Sequence, residues 1–405
     1  MRAPGFRRLF VSQTLSRWGS TFTSVAVVIL VFRLTGSGLE VAGAVGFEVA
    51  PALALGLVAG AVVDRVPRQA VMVGADVGRA GLLAALALFH QHLAVVYGVA
   101  AGSSALAAFF NPAASSVVPA VVAQQDLVGA NSALWSAAVL SQVVLAPMAG
   151  ALVGLAGPGP AFWIDSASFA VSALFLTGLR LPMRPHPVLP RLRHQLAGGV
   201  KVIRGSRLLS TLAQVQGLAA LSAGATSALL VVLAKRHLHV GAGGFGLLLG
   251  AIGVGAALGP LVLQRAVAEV RRPRFIFGPY LLRGVVDLVL ATSTSFGAAM
   301  AALAAYGVGT STGNVAYQST LQSVVRDEER GRVFAAYDVI WSSGRLLSIG
   351  AGGALADAVG IAAVYALGGG LLLLAGWWGL ARARGAGPYL RGRPPGDPGS
   401  PNAER

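Results

Sequence analysis

Twelve runs of mostly apolar residues, each about as long as a membrane-crossing helix, follow one another along this chain. They cover about residues 9–33, 41–63, 70–89, 93–113, 128–154, 159–180, 208–234, 242–263, 275–293, 296–317, 332–357 and 360–381. In lipid only helices and closed barrels satisfy their own backbone, and these runs are too long for barrel strands. The composition agrees: charged residues are 11% of 405, where a soluble domain carries about 25%. So few charges cannot cover the surface of a water-soluble protein of this size. The expectation is an all-α polytopic membrane protein with twelve transmembrane helices.

The basic residues decide the orientation. With the N-terminus inside, 24 of the 31 Lys and Arg fall on the inner side, three (Arg33, Lys235, Arg236) on the outer side and four (Arg17, Arg79, Arg283, Arg345) within spans. That bias predicts both termini in the cytoplasm of a multi-pass cell-membrane protein. It also accounts for the net charge of +16 without any nucleic-acid partner. Arg2, Arg7 and Arg8 precede the first run with no small-residue cleavage pattern, so that run is expected to stay as a helix. There is no cysteine, hence no disulfide and no thiolate nucleophile or ligand. No phosphate-cradling loop or Ser/His/Asp constellation stands out, and the outer pairs His90/His92 and His237/His239 have no fixed spacing between them. Neither an enzyme nor a metal or cofactor site is expected.

The longest break, residues 181–207, is rich in Pro and Arg and divides the spans six and six. It predicts an N-terminal half (1–180), a cytoplasmic central loop (181–207), a C-terminal half (208–383) and a disordered tail (384–405). The halves echo each other. At a shift of 203, Asn111 meets Asn314, Ala113 meets Ala316, Ser116 meets Ser319, Ala133 meets Ala336 and Gly150 meets Gly353; Arg79 meets Arg283 one residue later. Two related six-helix halves with a binding site between them are the plan of many secondary transporters.

Between spans two and three stands Gly60-Ala61-Val62-Val63-Asp64-Arg65-Val66-Pro67-Arg68-Gln69. It resembles the G-x-x-x-D-R-x-x-R loop signature of the major facilitator superfamily, in the position where that family carries it. Further stretches are similar to the drug, macrolide and siderophore exporter branch: Arg8-Leu9-Phe10 with Gln13, Ser16 and Gly19; Phe110-Asn111-Pro112-Ala113; Asp165-Ser166-Ala167-Ser168-Phe169; and Arg330-Gly331-Arg332-Val333. The resemblance covers about residues 6–380 and implies two pseudo-symmetric halves that rock about a central site. It implies a monomeric carrier that exports an amphiphilic small molecule, such as a drug or secondary metabolite, in exchange for protons. Gly60, Asp64, Arg65 and Arg68, with Arg332 opposite, would form the gate on the cytoplasmic side. The chain departs from the pattern at Ser20, where many relatives carry Asp, and in span four, which lacks the arginine of many proton-coupled exporters. Only a fragment of the glycine-proline antiporter signature, Pro147 and Gly150, remains in span five, as a helix-packing motif.

Polar residues inside the spans are the site candidates, because a lone charge at bilayer depth costs about 3 kcal/mol or more. Glu48 in span two is the first choice for proton coupling. Asp76 and Arg79, at i and i+3 of span three, join it as coupling candidates or as a structural pair; Arg283 and Asp287 repeat the pairing in span nine. Gln13, Arg17, Gln214, Gln216, Asn314 and Gln318 are expected to line the substrate cavity. Trp135 and Trp341 read by default as interfacial belt or packing residues.

Overall fold

The structure, a computed structural model, describes residues 4–63, 65–123, 126–179, 192–264 and 273–383. Asp64 and the tail 384–405 lie outside these residues. The described chain is helical throughout. The first half comprises α1 (Pro4–Thr35), α2 (Gly38–Val63), α3 (Arg68–Phe89), α4 (Leu93–Val121), α5 (Leu127–Leu140) running through a π turn (Ser141–Leu145) into α6 (Ala146–Ala156), and α7 (Gly159–Thr177). After α8 (Leu192–Gly205) come α9 (Arg207–Ala228), the single turn α10 (Leu230–Val232) with a π turn at Leu233–His237, α11 (Ala242–Gln264), α12 (Pro273–Thr292), α13 (Phe296–Val324), α14 (Asp327–Ala358) and α15 (Ile361–Ala383).

Ten of these stretches are long and apolar enough to cross a membrane. Of the others, α8 and α10 are short, and α13 and α14, at 29 and 32 residues, lack an unbroken stretch that is apolar enough. The apolar runs also understated several helices: α4 continues to Val121, α13 to Val324, and α14 begins at Asp327. Hydropathy marks the part of a helix that needs lipid, whereas hydrogen bonding carries the helix beyond it.

The two halves repeat in three dimensions. Within the first half α1 packs on α7, α2 on α4 and α3 on α7; within the second α9 packs on α15, α11 on α13 and α12 on α15. Both α4 and α13 have 29 residues and begin at Leu93 and Phe296, the separation of the sequence repeat. The turns before α7 and α15 each contain a glycine with positive φ, Gly157 at 80° and Gly360 at 109°. An L side chain is strained there, so both turns depend on glycine.

Gly5 lies against Val121 and Leu179, which places the start of α1 and the ends of α4 and α7 on one face. We call this the terminal face and its opposite the distal face. The halves meet near the distal face through two helix pairs, α2 on α14 and α6 on α11. Small residues make the contacts possible, as in membrane helix pairs generally. A Cβ on Gly150 would stand 2.5 Å from the Ala242 carbonyl oxygen, one on Gly246 3.0 Å from Pro147 Cα, and one on Gly353 2.9 Å from Leu39 Cα. Pro147 presses on Gly250. The π turn just before it belongs to the same feature, since proline lacks the N–H that a regular turn would use.

The central break is not simply a loop, because α8 occupies its second part. Gly199 of α8 sits against the backbone of Arg332, where a Cβ would stand 2.2 Å from the carbonyl oxygen. Ile203 of α8 is buried with Leu208, Leu209 and Val333. The start of α14 is therefore packed by the connector between the halves.

Candidate functional site: a cavity between the halves

Two cavities of about 960 and 870 Å³ share Arg17 and Trp135; the first is lined by the first half alone and the second by both halves. The first is walled by α1, α4 and α5, with Gln13, Asn111, Ser115 and Asn131 on its surface. The second is walled mainly by α12, α13 and α14, with Gln216, Asn314, Gln318 and Asp338. Their walls include the terminal-face ends of α4, from Asn111 to Pro119, and of α5, from Leu127 to Trp135. Near the distal face the packed pairs α2–α14 and α6–α11 close the space. The cavity thus opens toward the face that carries both ends of the described chain. The two long helices outside the set of ten, α13 and α14, are among its walls and present Asn314, Gln318 and Asp338 to it.

Five of the six residues expected in the cavity line it: Gln13, Arg17, Gln216, Asn314 and Gln318. Gln214 does not. Its carbonyl accepts a 2.8 Å hydrogen bond from the Trp378 indole. Two residues apart on a helix is about 200° of rotation, so Gln214 and Gln216 cannot face the same way. Trp135 and Trp341 are not belt residues, because both line the cavity. Sequence reasoning also passed over Asp338, a carboxylate on the α14 wall.

The charges fall into two kinds. Some are held. Asp76 is fully buried; Ser172 donates to it at 2.5 Å and Arg79 stands 3.7 Å away. The Arg79 guanidinium lies 5.1 and 5.2 Å from the rings of Phe110 and Phe169. Its counterpart Arg283 donates to the Tyr306 hydroxyl at 2.9 Å and lies within the field of Asp287. Others are free. Among the described residues Arg17, Glu48 and Asp338 make no side-chain hydrogen bond and no ion pair. Glu48 lines the first cavity and feels the charge of Arg345, which belongs to α14 across the seam.

A third cavity of about 320 Å³ lies inside the first half and shares Glu48, Arg79 and Asn111 with the first. Asp165 lines it as well, buried, accepting from Ser20 at 3.4 Å and Ser168 at 3.2 Å. Asp165 stood in the sequence as part of a family stretch and not as a site residue. Its position gives Ser20 a physical meaning: an acid there would set a second carboxyl against Asp165. Gly19 makes room for this group, since a Cβ would stand 2.6 Å from the Asp165 carboxyl.

The expected gate divides differently. Arg65 is exposed and Arg68 half-buried. Among the described residues nothing lies within 4 Å of a Cβ built on Gly60. Beside this loop Gln69 donates to the carbonyls of Leu176 and Thr177 at 3.0 and 2.6 Å, tying α3 to the end of α7. Arg332 lies against Gly198 and Gly199 of α8.

The distal face holds an ionic latch that the sequence did not reveal. Asp357, at the end of α14, accepts from the backbone N–H of Gly38 at 2.8 Å and Leu39 at 2.9 Å, and from the Ser37 hydroxyl at 2.5 Å. It thereby caps α2, a helix of the other half, at the end that favours negative charge. Arg236 completes the latch: it pairs with Asp357 at 3.0 Å, donates to the Gly36 carbonyl and lies 5.5 Å from the Phe32 ring.

Comparison with known proteins agrees with this geometry. The family described as transmembrane secretion effector, a branch of the major facilitator superfamily, matches residues 1–384. An uncharacterized major-facilitator-type transporter of Mycobacterium tuberculosis is 29% identical over 402 residues, 92% of this chain and 90% of its own. The enterobactin exporter of Citrobacter koseri is 28% identical over 298 residues, 71% of this chain and 70% of its own. Among solved structures, a peptide transporter of the POT family superposes with a TM-score of 0.77 at 13% identity, covering 97% of this chain and 99% of its own. A bacterial homologue of the iron transporter ferroportin, in an inward-facing state, gives 0.74 at 17% identity, covering 95% and 99%. These likenesses show the fold and a transporter, not an enzyme. The chain belongs to the transmembrane secretion effector family of major facilitator transporters.

Proposed function

We propose that this protein is a secondary active exporter that moves an amphiphilic small molecule out of the cell, in exchange for protons, by alternating access. The observation that carries the reading is the cavity between the halves, open at the terminal face and closed at the distal face. Residues 1–180 and 208–383 are the two rocking bodies and 181–207 joins them. The charge bias of the loops supports a cytoplasmic terminal face, and on that reading the cavity here faces inward. The enterobactin exporters among its relatives support export as the direction. Glu48 is the proposed proton carrier: it lines both the first cavity and the inner cavity of the first half, with no side-chain hydrogen bond among the described residues and with the charge of Arg345 facing it from the other half. Asp165, beside Arg79 on the same inner cavity, is the next group on this path. Arg65, Arg68 and the Asp64 between them and Gly60 are proposed to meet the start of α14 when the terminal face closes.

Inside-out membrane vesicles test this. An imposed proton gradient is expected to drive uptake of a fluorescent amphiphile and to be dissipated faster as uptake proceeds. Reporters fused after Arg204 and at the C-terminus are expected to read cytoplasmic, and one near Lys235 external. Uptake indifferent to the gradient would leave an uncoupled carrier, the reading that Ser20 in span one favours. An external signal at Arg204 would reverse the direction altogether.

A further inference from the structure

The charges that line the adjoining cavities are not equally free, and the difference describes the ligand. Arg79 and Arg283 each have a carboxylate neighbour in their own half. Glu48 has the charge of Arg345 before it. Two charges remain, Arg17 on α1 and Asp338 on α14, on walls contributed by different halves of the same 870 Å³ cavity. Neither makes a side-chain hydrogen bond or ion pair among the described residues. The same cavity is lined by the aromatic side chains of Trp135, Trp341, Phe334 and Tyr317. Tyr317 is fixed edge-on to Tyr337, with ring centroids 5.7 Å apart.

Resting on the transporter reading above, we propose that the cavity recognises an amphoteric, planar amphiphile, with an anionic group bound by Arg17, a cationic group bound by Asp338 and a flat apolar body against Trp135 and Trp341. The physical reason is desolvation. When the halves close on a ligand, both free charges lose water. A buried charge without a partner costs far more than a paired one. A ligand carrying only one charge would satisfy one wall and strand the other. A neutral ligand would strand both. A ligand with opposite charges at its two ends satisfies both walls at once, and charge-assisted hydrogen bonds are the strong ones. Because the two walls belong to different halves, such a ligand also bridges them, so that its binding favours closure. The aromatic lining supplies contact area for the body between the charges.

The test is equilibrium binding to the purified full-length protein in uncharged detergent, with three naphthalene probes. 2-Naphthoate carries the anion, 2-naphthylmethylammonium the cation, and 6-(aminomethyl)-2-naphthoate both. The amphoteric probe is expected to bind about tenfold more tightly than either singly charged probe. Arg17→Gln is expected to weaken the two carboxylate-bearing probes about tenfold and leave the ammonium probe unchanged. Asp338→Asn is expected to do the reverse. Because each variant has one probe whose affinity must not change, general loss of folding is distinguishable from loss of recognition. Equal affinities for the three probes, equal loss of all three in either variant, or no binding of any probe would overturn the proposal. Binding requires neither a proton gradient nor turnover. Charge-selective binding with no driven transport would therefore refute the exporter reading alone, and driven transport without charge selectivity would refute this proposal alone.

Discussion

Glu48 shows what a single carboxylate does at this position. It lies ten residues into α2, about 15 Å from the start of that helix. It has no hydrogen-bond partner among the described residues, it lines two cavities, and the charge facing it comes from the other half. A group that only packed α2 would be hydrogen-bonded and enclosed. Glu48→Gln keeps the shape and removes the exchangeable charge, so gradient-driven transport is expected to fall at least tenfold while expression, insertion and melting temperature stay near wild type. Substrate-linked proton flux in vesicles is the measurement, and flux equal to wild type would remove Glu48 from the mechanism. Asp76 is the contrasting case. It is buried, held by Ser172 and next to Arg79, so Asp76→Asn is expected to act on stability. Removing one member of such a buried pair costs about 3–5 kcal/mol in soluble proteins. A melting temperature unchanged in Asp76→Asn would show that the pair is not structural.

Helix pairing at the seam depends on residues that have no side chain to move. A Cβ on Gly246 would stand 2.7 Å from the Ala146 carbonyl oxygen and 3.1 Å from Gly150 Cα. Backbone atoms cannot yield as a side-chain tip can, so Gly246→Leu must push α11 from α6. Overpacking of this kind costs about 1–3 kcal/mol. Gly370 of α15 is the control, because a Cβ there meets nothing within 4 Å. Gly246→Leu is expected to lower the melting temperature in detergent and slow transport, and Gly370→Leu to do neither. Equal behaviour of the two variants would mean that α6 and α11 do not meet as described. This contact was partly legible in the sequence, since Pro147 and Gly150 stood out as a packing fragment. Their partners Gly246 and Gly250 did not, because in a chain with 54 glycines nothing local separates a contact glycine from any other.

At the scale of the whole molecule, the helical plan and the two halves were readable because apolar run length, charge bias and a repeat of 203 residues are properties of the chain itself. The cavity residues were readable for a related reason: a polar residue inside an apolar run needs a partner or water, and Gln13, Arg17, Gln216, Asn314 and Gln318 found the cavity. Gln214 shows the limit, since depth in a span says nothing of which way a side chain turns. The latch was illegible for another reason. Arg236 and Asp357 sit at helix ends, where charges are ordinary, both in the second half, and only the packing of α2 on α14 sets the first-half turn Gly36–Leu39 against them. Yet the latch bears on the equilibrium between states. Its bonds to Gly36, Ser37, Gly38 and Leu39 join the two halves on the distal face and can exist only while that face is closed, whereas the Arg236–Asp357 pair lies within the second half. An interaction present in one state shifts the balance by its differential energy. Loss of a helix cap across the seam is worth on the order of 1 kcal/mol, about a fivefold shift. Asp357→Asn, which keeps shape but removes charge, is therefore expected to enrich the state open at the distal face. Because the chain has no cysteine, spin labels can be placed on cysteines introduced at Leu34 and Val359, both exposed near that face, without background. The distance distribution between them is expected to gain a longer component in Asp357→Asn and in Arg236→Gln, and the double variant is expected to add little to either single one, since the two side chains orient each other and hold the same turn, Gly36–Leu39. If both single variants leave the distribution as in the wild type, the cap and the ion pair do not hold the distal face shut, and the packing of α2 on α14 and of α6 on α11 closes it alone.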